Sequence, residues 1–193
     1  MLARMGVQRI VGSPQASAGA DCKHLMNTPV VARPQYLERR TAAPQRPWHE
    51  PDWQRLWLAA HIKERDWRSL ALVPGGAGMP LRFIEKTAII FSQTGMTHLG
   101  QTIHVADATR VQLADLNDFY AEVKHCTRNG VDRVVIALAP LSENVTSVSI
   151  AQQADRALLC LLRGKTMLKE ARRTVREVGA KSFIGSIVFD GLG

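Results

Sequence analysis

Hydrophobic and polar positions follow two different rhythms over the last two thirds of the chain. Continuous apolar runs, SLALV (69–73), TIHVA (102–106), DRVVIALAP (132–140), ALLCLL (157–162) and FIGSIVF (183–189), are short and rich in branched residues, as strands buried on both faces are. Between them the spacing changes to that of helices. Residues 81–99 read as a helix ended by Gly100, since a glycine accepts the left-handed conformation that closes a last turn. Residues 112–128 carry Leu113, Leu116, Tyr120 and Val123 along one face and stop at Asn129-Gly130. Residues 166–178 carry Leu168, Ala171, Val175 and Val178 inward. The connection LSENVTSVSIAQQA reads as loop by composition and as the place of a helix by the alternation. An earlier helix is expected from an N-cap at Asp52, with Trp53, Leu56, Trp57 and Ala60 on one face; the two indoles read as core or docking surface.

Alternating strands and helices with continuous apolar strands predict an α/β domain, a mostly parallel doubly wound sheet covered by helices on both faces. Ligand crevices in such sheets lie at the carboxyl ends of the strands. The segments that follow Val73, Ala106, Ala139 and Leu162 are therefore the ones where chemistry is to be sought.

Residues 12–51 contain Pro14, Pro29, Pro34, Pro44, Pro47 and Pro51 among Ala, Ser, Gln and Arg with little apolar periodicity. The expected organisation is a disordered or extended basic Pro-rich arm over 1–51 and a single α/β domain over 52–193. A net charge of +8 over 193 residues favours an acidic partner: nucleic acid, anionic lipid or an acidic protein surface. Three scattered cysteines, Cys22, Cys126 and Cys160, point to a reducing compartment rather than a disulfide framework. No apolar run reaches the roughly 18 residues needed to span a bilayer, and the interrupted N-terminus makes a poor signal peptide.

The loop after the first strand, Pro74-Gly75-Gly76-Ala77-Gly78, could expose backbone N–H groups to a phosphate at a helix start. It lacks the lysine and hydroxyl that complete a phosphate loop, because Met79-Pro80 follows. Lys86-Thr87 lies further on, and Gly164-Lys165-Thr166 lacks the preceding glycine. The histidines fall at no metal-ligand spacing, and no serine sits in a G-x-S-x-G elbow. Lys165, Lys169, Arg172, Arg173 and Arg176 form a basic face on the last helix, relieved by Glu170 and Glu177. That face suits anionic lipid heads or an acidic tail of a membrane partner. Nucleic acid is disfavoured, since no aromatic interleaving accompanies the charge.

Over about the last 125 residues the chain resembles the cytoplasmic domain of bacterial tyrosine kinases of capsule and exopolysaccharide export, in the MinD and ParA-like branch of P-loop ATPases. The segment GQTIHVADA ending at Ala108 is similar to the family's G-K-R-V-L-L-I-D-A-D, and DRVVIALAP to its D-x-V-I-I-D-T-P-P. VSIAQQADRALL (148–159) resembles S-D-A-x-x-x-A-x-x-A-D-G-V-L-L, and IGSIV (184–188) the terminal L-G-x-V-L-N. Asp52-Trp-Gln-Arg55-Leu56 is similar to the E-x-x-R-x-L-R helix ahead of the domain.

The resemblance implies a P-loop NTPase fold of MinD-like type, while the departures remove its chemistry. Ala137 stands where the family has a magnesium-site aspartate, and Thr109 where it has the second acid of D-A-D. No C-terminal tyrosine cluster follows, the only tyrosines being Tyr36 and Tyr120. The expectation is a pseudo-ATPase without cofactor, a cytoplasmic adaptor in exopolysaccharide biosynthesis at the inner face of the membrane. Its partners would be a membrane chain-length or polysaccharide export protein, or an active kinase relative. The alternative is an atypical ATPase or tyrosine kinase that binds ATP or ADP with magnesium in a residual pocket of Gly75, Gly76, Gly78, Lys86, Thr87 and Asp107.

Overall fold

Six consecutive buried residues, SLALVP, form β1 (Ser69–Pro74), and a strand hidden this completely needs both edges paired and both faces covered. Both conditions are met in the computed structural model of the protein, which describes residues 54–56, 58–60, 67–100, 102–128 and 130–190. β1 pairs in parallel with β3 (Arg133–Ala137) on one side and β4 (Arg156–Leu162) on the other. β2 (Ile103–Asp107) and β5 (Phe183–Phe189) flank them, giving the order β2-β3-β1-β4-β5 with every pairing parallel.

Parallel neighbours require crossovers. These are α1 (Leu81–Leu99), α2 (Leu116–Cys126), α3 (Thr146–Gln153) and α4 (Leu168–Val178). On one face Ala71, Val73, Val134 and Ile136 pack with Leu116, Phe119, Ile150 and Val178 from α2, α3 and α4. On the other, Leu70, Leu72, Val135 and Leu158 pack with Ile84, Ala88 and Phe91 of α1, joined by Leu56, Ala60 and Trp67 from before the sheet. The α/β class, the parallel sheet and its covering on both faces thus agree with the pattern of the sequence.

Local chemistry sets several boundaries. Gly100 adopts φ 63° and donates its N–H to the Met96 carbonyl, closing α1 where expected. Ahead of α3, the Asn144 carboxamide oxygen accepts the Thr146 N–H at 3.1 Å, a side-chain turn that starts a helix in the connection that reads as loop by composition. Asp155, just before β4, accepts the N–H groups of Arg68 and Ser69 at 2.8 Å and the Ser69 hydroxyl at 2.9 Å. Ser69 Oγ in turn accepts the Asp155 N–H at 3.0 Å, so the two central strands start from one shared knot.

Three expectations are corrected. The helix expected over 112–128 begins as a 3-10 turn, Leu113–Asp115, before α2. That change of pitch turns Leu113 outward, 76 % exposed, and leaves Phe119 as the fully buried anchor, contributing about 2–3 kcal/mol. Leu168, assigned to an inward stripe, is the first residue of α4 and is 65 % exposed. Cys126 is disulfide-bonded, against the expectation of reduced thiols, while Cys160 is free and buried. The arm over 1–51, the Asp52 cap, Trp53, Trp57 and the Asn129 stop lie outside the described residues. Among the described residues no helix is long and apolar enough to cross a membrane.

Candidate functional site

The crossover from β1 runs through α1 to β2, while that from β3 runs through α3 past β1 to β4. They leave in opposite directions, so the carboxyl ends of β1 and β3 mark the switch point where such sheets bind ligands. The glycine loop follows β1 at this point, and Asp107 ends β2 in register with Ala137 at the end of β3.

The loop is engaged by the protein itself. Gly75 donates its N–H to the Cys160 carbonyl at 2.8 Å, extending the β1–β4 ladder by one residue. The Met79 N–H closes back on the Gly76 carbonyl at 3.3 Å, and Pro80, the N-cap of α1, brings no N–H. None of Gly75, Gly76 and Gly78 has positive φ, whereas an anion nest alternates right- and left-handed residues. Space explains two of the glycines. A Cβ on Gly75 would lie 2.5 Å from Leu161 Cδ2, and one on Gly76 2.4 Å from Glu170 Oε2. At Gly78 a Cβ would meet Lys165 O at an ordinary 3.5 Å.

The remaining pocket residues diverge. Lys86 is exposed on the second turn of α1, while its neighbour Thr87 is buried and donates its hydroxyl to the Phe83 carbonyl at 2.6 Å. Asp107 Oδ1 accepts the N–H of Thr109 at 2.9 Å and its hydroxyl at 2.7 Å, forming a side-chain turn at the strand end. Ala137 lies in the apolar cluster under α1. The group that senses Asp107 is Glu85: burial pushes its carboxyl up, Asp107 adds to the push, and Arg110 opposes it. Two carboxylates thus approach where a magnesium nucleotide would bring concentrated negative charge.

The fit to magnesium nucleotide is therefore poor. The hydroxyl that would hold the metal is bonded to a helix carbonyl, the Gly75 amide is paired, and Glu170 stands against Gly76. Among the described residues no cluster of three or more His, Cys, Asp or Glu is arranged to hold a metal ion. Glu85 and Arg110 were invisible in the sequence, because their meeting with Asp107 depends on how α1 crosses the end of β2.

The neighbouring loops are also tied together. Asn144 donates its carboxamide to the carbonyls of Thr109 and Val111, at 3.3 and 3.1 Å, and Thr146 donates its hydroxyl to Val111 at 2.8 Å. This latch joins the segment after β3 to the segment after β2.

The basic residues of the β4–α4 corner begin beside the glycine loop, where Lys165 lies against Gly78, and continue along α4. Lys165, Lys169, Arg172, Arg173 and Arg176 are all exposed. An open depression of about 590 Å³ lies along α4, lined by Lys169, Glu170, Arg173, Arg176 and Glu177. Arg173 Nε donates to Glu177 Oε1 at 2.6 Å, one turn on.

No protein-family model, curated protein or solved structure matches the chain.

Proposed function

We propose that the chain is a non-catalytic relative of the exopolysaccharide export kinases, with a MinD-like P-loop fold whose nucleotide crevice has been converted into packing. On this reading it is an adaptor that docks on a membrane export protein or an active kinase relative through its basic surface. The observation that carries the loss of catalysis is the filled loop after β1, with the Gly75 N–H on Cys160 and the Glu170 carboxylate against Gly76. Catalysis of phosphoryl transfer needs cations and open amides around the phosphates, and here carboxylates and spent donors stand there instead. Glu85 beside Asp107 supports the same conclusion, since an added acid repels rather than neutralises phosphate. The family assignment itself draws on the order of the sequence motifs and on a glycine loop that leaves the central strand of a parallel sheet.

Isothermal titration and thermal shift with Mg-ATP and Mg-ADP test this reading. The expected result is no heat and no shift. Micromolar binding abolished by Lys86→Ala and by Asp107→Ala would overturn it in favour of an ATP-binding relative with an atypical pocket.

A further inference from the structure

We infer that the β4–α4 corner is a docking surface for an anionic lipid bilayer, with Met167 and Leu168 as the inserting residues. This deepens the adaptor reading by naming what its basic surface meets, while its measurement does not involve nucleotide.

The apolar part is held out deliberately. Met167 and Leu168 are adjacent in sequence and 51 % and 65 % exposed. The turn that presents them is firm: the N–H groups of Lys165 and Thr166 both donate to the Leu162 carbonyl, and the Leu162 N–H donates to Thr166 Oγ1 at 2.8 Å. Gly164, at φ 76°, supplies the left-handed residue on which that turn depends. Two apolar side chains thus stand in water at the tip of a rigid corner rather than on a loose loop.

The charge around them is more positive than composition suggests. Lys165 precedes the apolar pair, Lys169 follows it, and Arg172 and Arg176 extend the surface along α4. Among the described residues these four cations make no ion pair. The two acids of the helix are drawn elsewhere: Glu170 turns onto Gly76, and Glu177 binds Arg173. An apolar tip rimmed by unpaired bases matches a bilayer interface, where acyl boundary and anionic heads lie side by side. A nucleic acid would use the charge and leave the apolar pair in water.

Co-sedimentation of the full chain with phosphatidylcholine vesicles, with and without phosphatidylglycerol, tests the assignment. Binding is expected only with phosphatidylglycerol and should weaken in high salt. Each cation removed lowers the partition by roughly fivefold, so Lys169→Glu/Arg172→Glu/Arg176→Glu should lose at least about a hundredfold. Met167→Ser/Leu168→Ser should lose binding even in low salt. Circular dichroism melts of both variants, expected to match the parent at these exposed sites, exclude misfolding as the cause, and Leu168→Ser alone is the milder variant. Equal binding to neutral vesicles, no vesicle binding, or variants that bind like the parent would each overturn the lipid assignment. Retention on a poly-glutamate surface without vesicle binding would reassign the corner to an acidic protein.

Discussion

Glu170 of α4 lies over Gly76 of the loop after β1, so close that a Cβ at Gly76 would stand 2.4 Å from its Oε2. The loop is a packing joint between the central strand and the last helix, and at Gly75 and Gly76 a side chain would collide with neighbouring atoms. At Gly75 the neighbours are Leu161 Cδ2 and the Cys160 carbonyl, 2.5 and 3.2 Å from a built Cβ.

The two positions should therefore respond differently to alanine. Gly75→Ala meets a backbone carbonyl and a packed leucine and should cost about 1–3 kcal/mol, as overpacking does. Gly76→Ala meets a carboxylate that can swing toward solvent, and should cost less than about 1 kcal/mol. Adding Glu170→Ala to Gly76→Ala should restore parental stability. Urea denaturation of the four proteins checks this, and a Gly76→Ala loss larger than that of Gly75→Ala would contradict the joint as described.

Asp155 holds the start of β1 through three accepted hydrogen bonds. Asp155→Ala should cost about 1.5–3 kcal/mol, since bonds to a charged acceptor exceed neutral ones. Asp155→Asn should lose roughly half of that, because a neutral oxygen still accepts. Equal stability of all three proteins in chemical denaturation would show that the knot contributes nothing.

Removing the latch at Asn144 should loosen the carboxyl edge without unfolding the sheet. Asn144→Ala is expected to cost about 1–2 kcal/mol and to speed hydrogen exchange locally over residues 109–113 and 142–147. Unchanged exchange in both segments would argue that the two loops hold their places independently.

Burial first, and Asp118 second, push the Glu122 carboxyl up to about 7, and its Oε2 is buried without a hydrogen-bond partner among the described residues. The folded chain then holds more protons than the unfolded chain between about pH 4.5 and 7, so stability falls as pH rises through that window and is flat beyond it. Glu122→Gln removes the penalty. Allowing for its partial exposure, the variant should gain about 1 kcal/mol near pH 8 and nothing near pH 4. Thermal melts across that range check the sign.

Five strands were legible in the sequence because each is a short apolar run, wholly buried in β1 and β3 and mostly half-buried or exposed in the edge strand β5, and Gly100 marked the end of α1 because a left-handed residue has few alternatives to glycine. Periodicity failed at the first turns. Leu113 and Leu168 fall in phase with their helices, but one sits in a 3-10 turn and the other directly after an extended N-cap. The candidate site was legible only as a list. Gly75 and Asp107 were placed at strand ends and Lys86 in the helix that follows, as they stand, whereas the facts that decide their chemistry are contacts across the sheet. Glu170 on Gly76 joins positions 94 residues apart (170 − 76), and no local pattern announces such a meeting.

Cys160 lies in β4 with no exposed surface, and burial pushes its thiol up to about 12. A thiol of that kind reacts as the thiolate only when the strand opens. Under a slow alkylating reagent it becomes a built-in clock for opening of the sheet centre. With a reagent slower than reclosing, its labelling rate reports the fraction of molecules in which β4 has parted from β1 and β5.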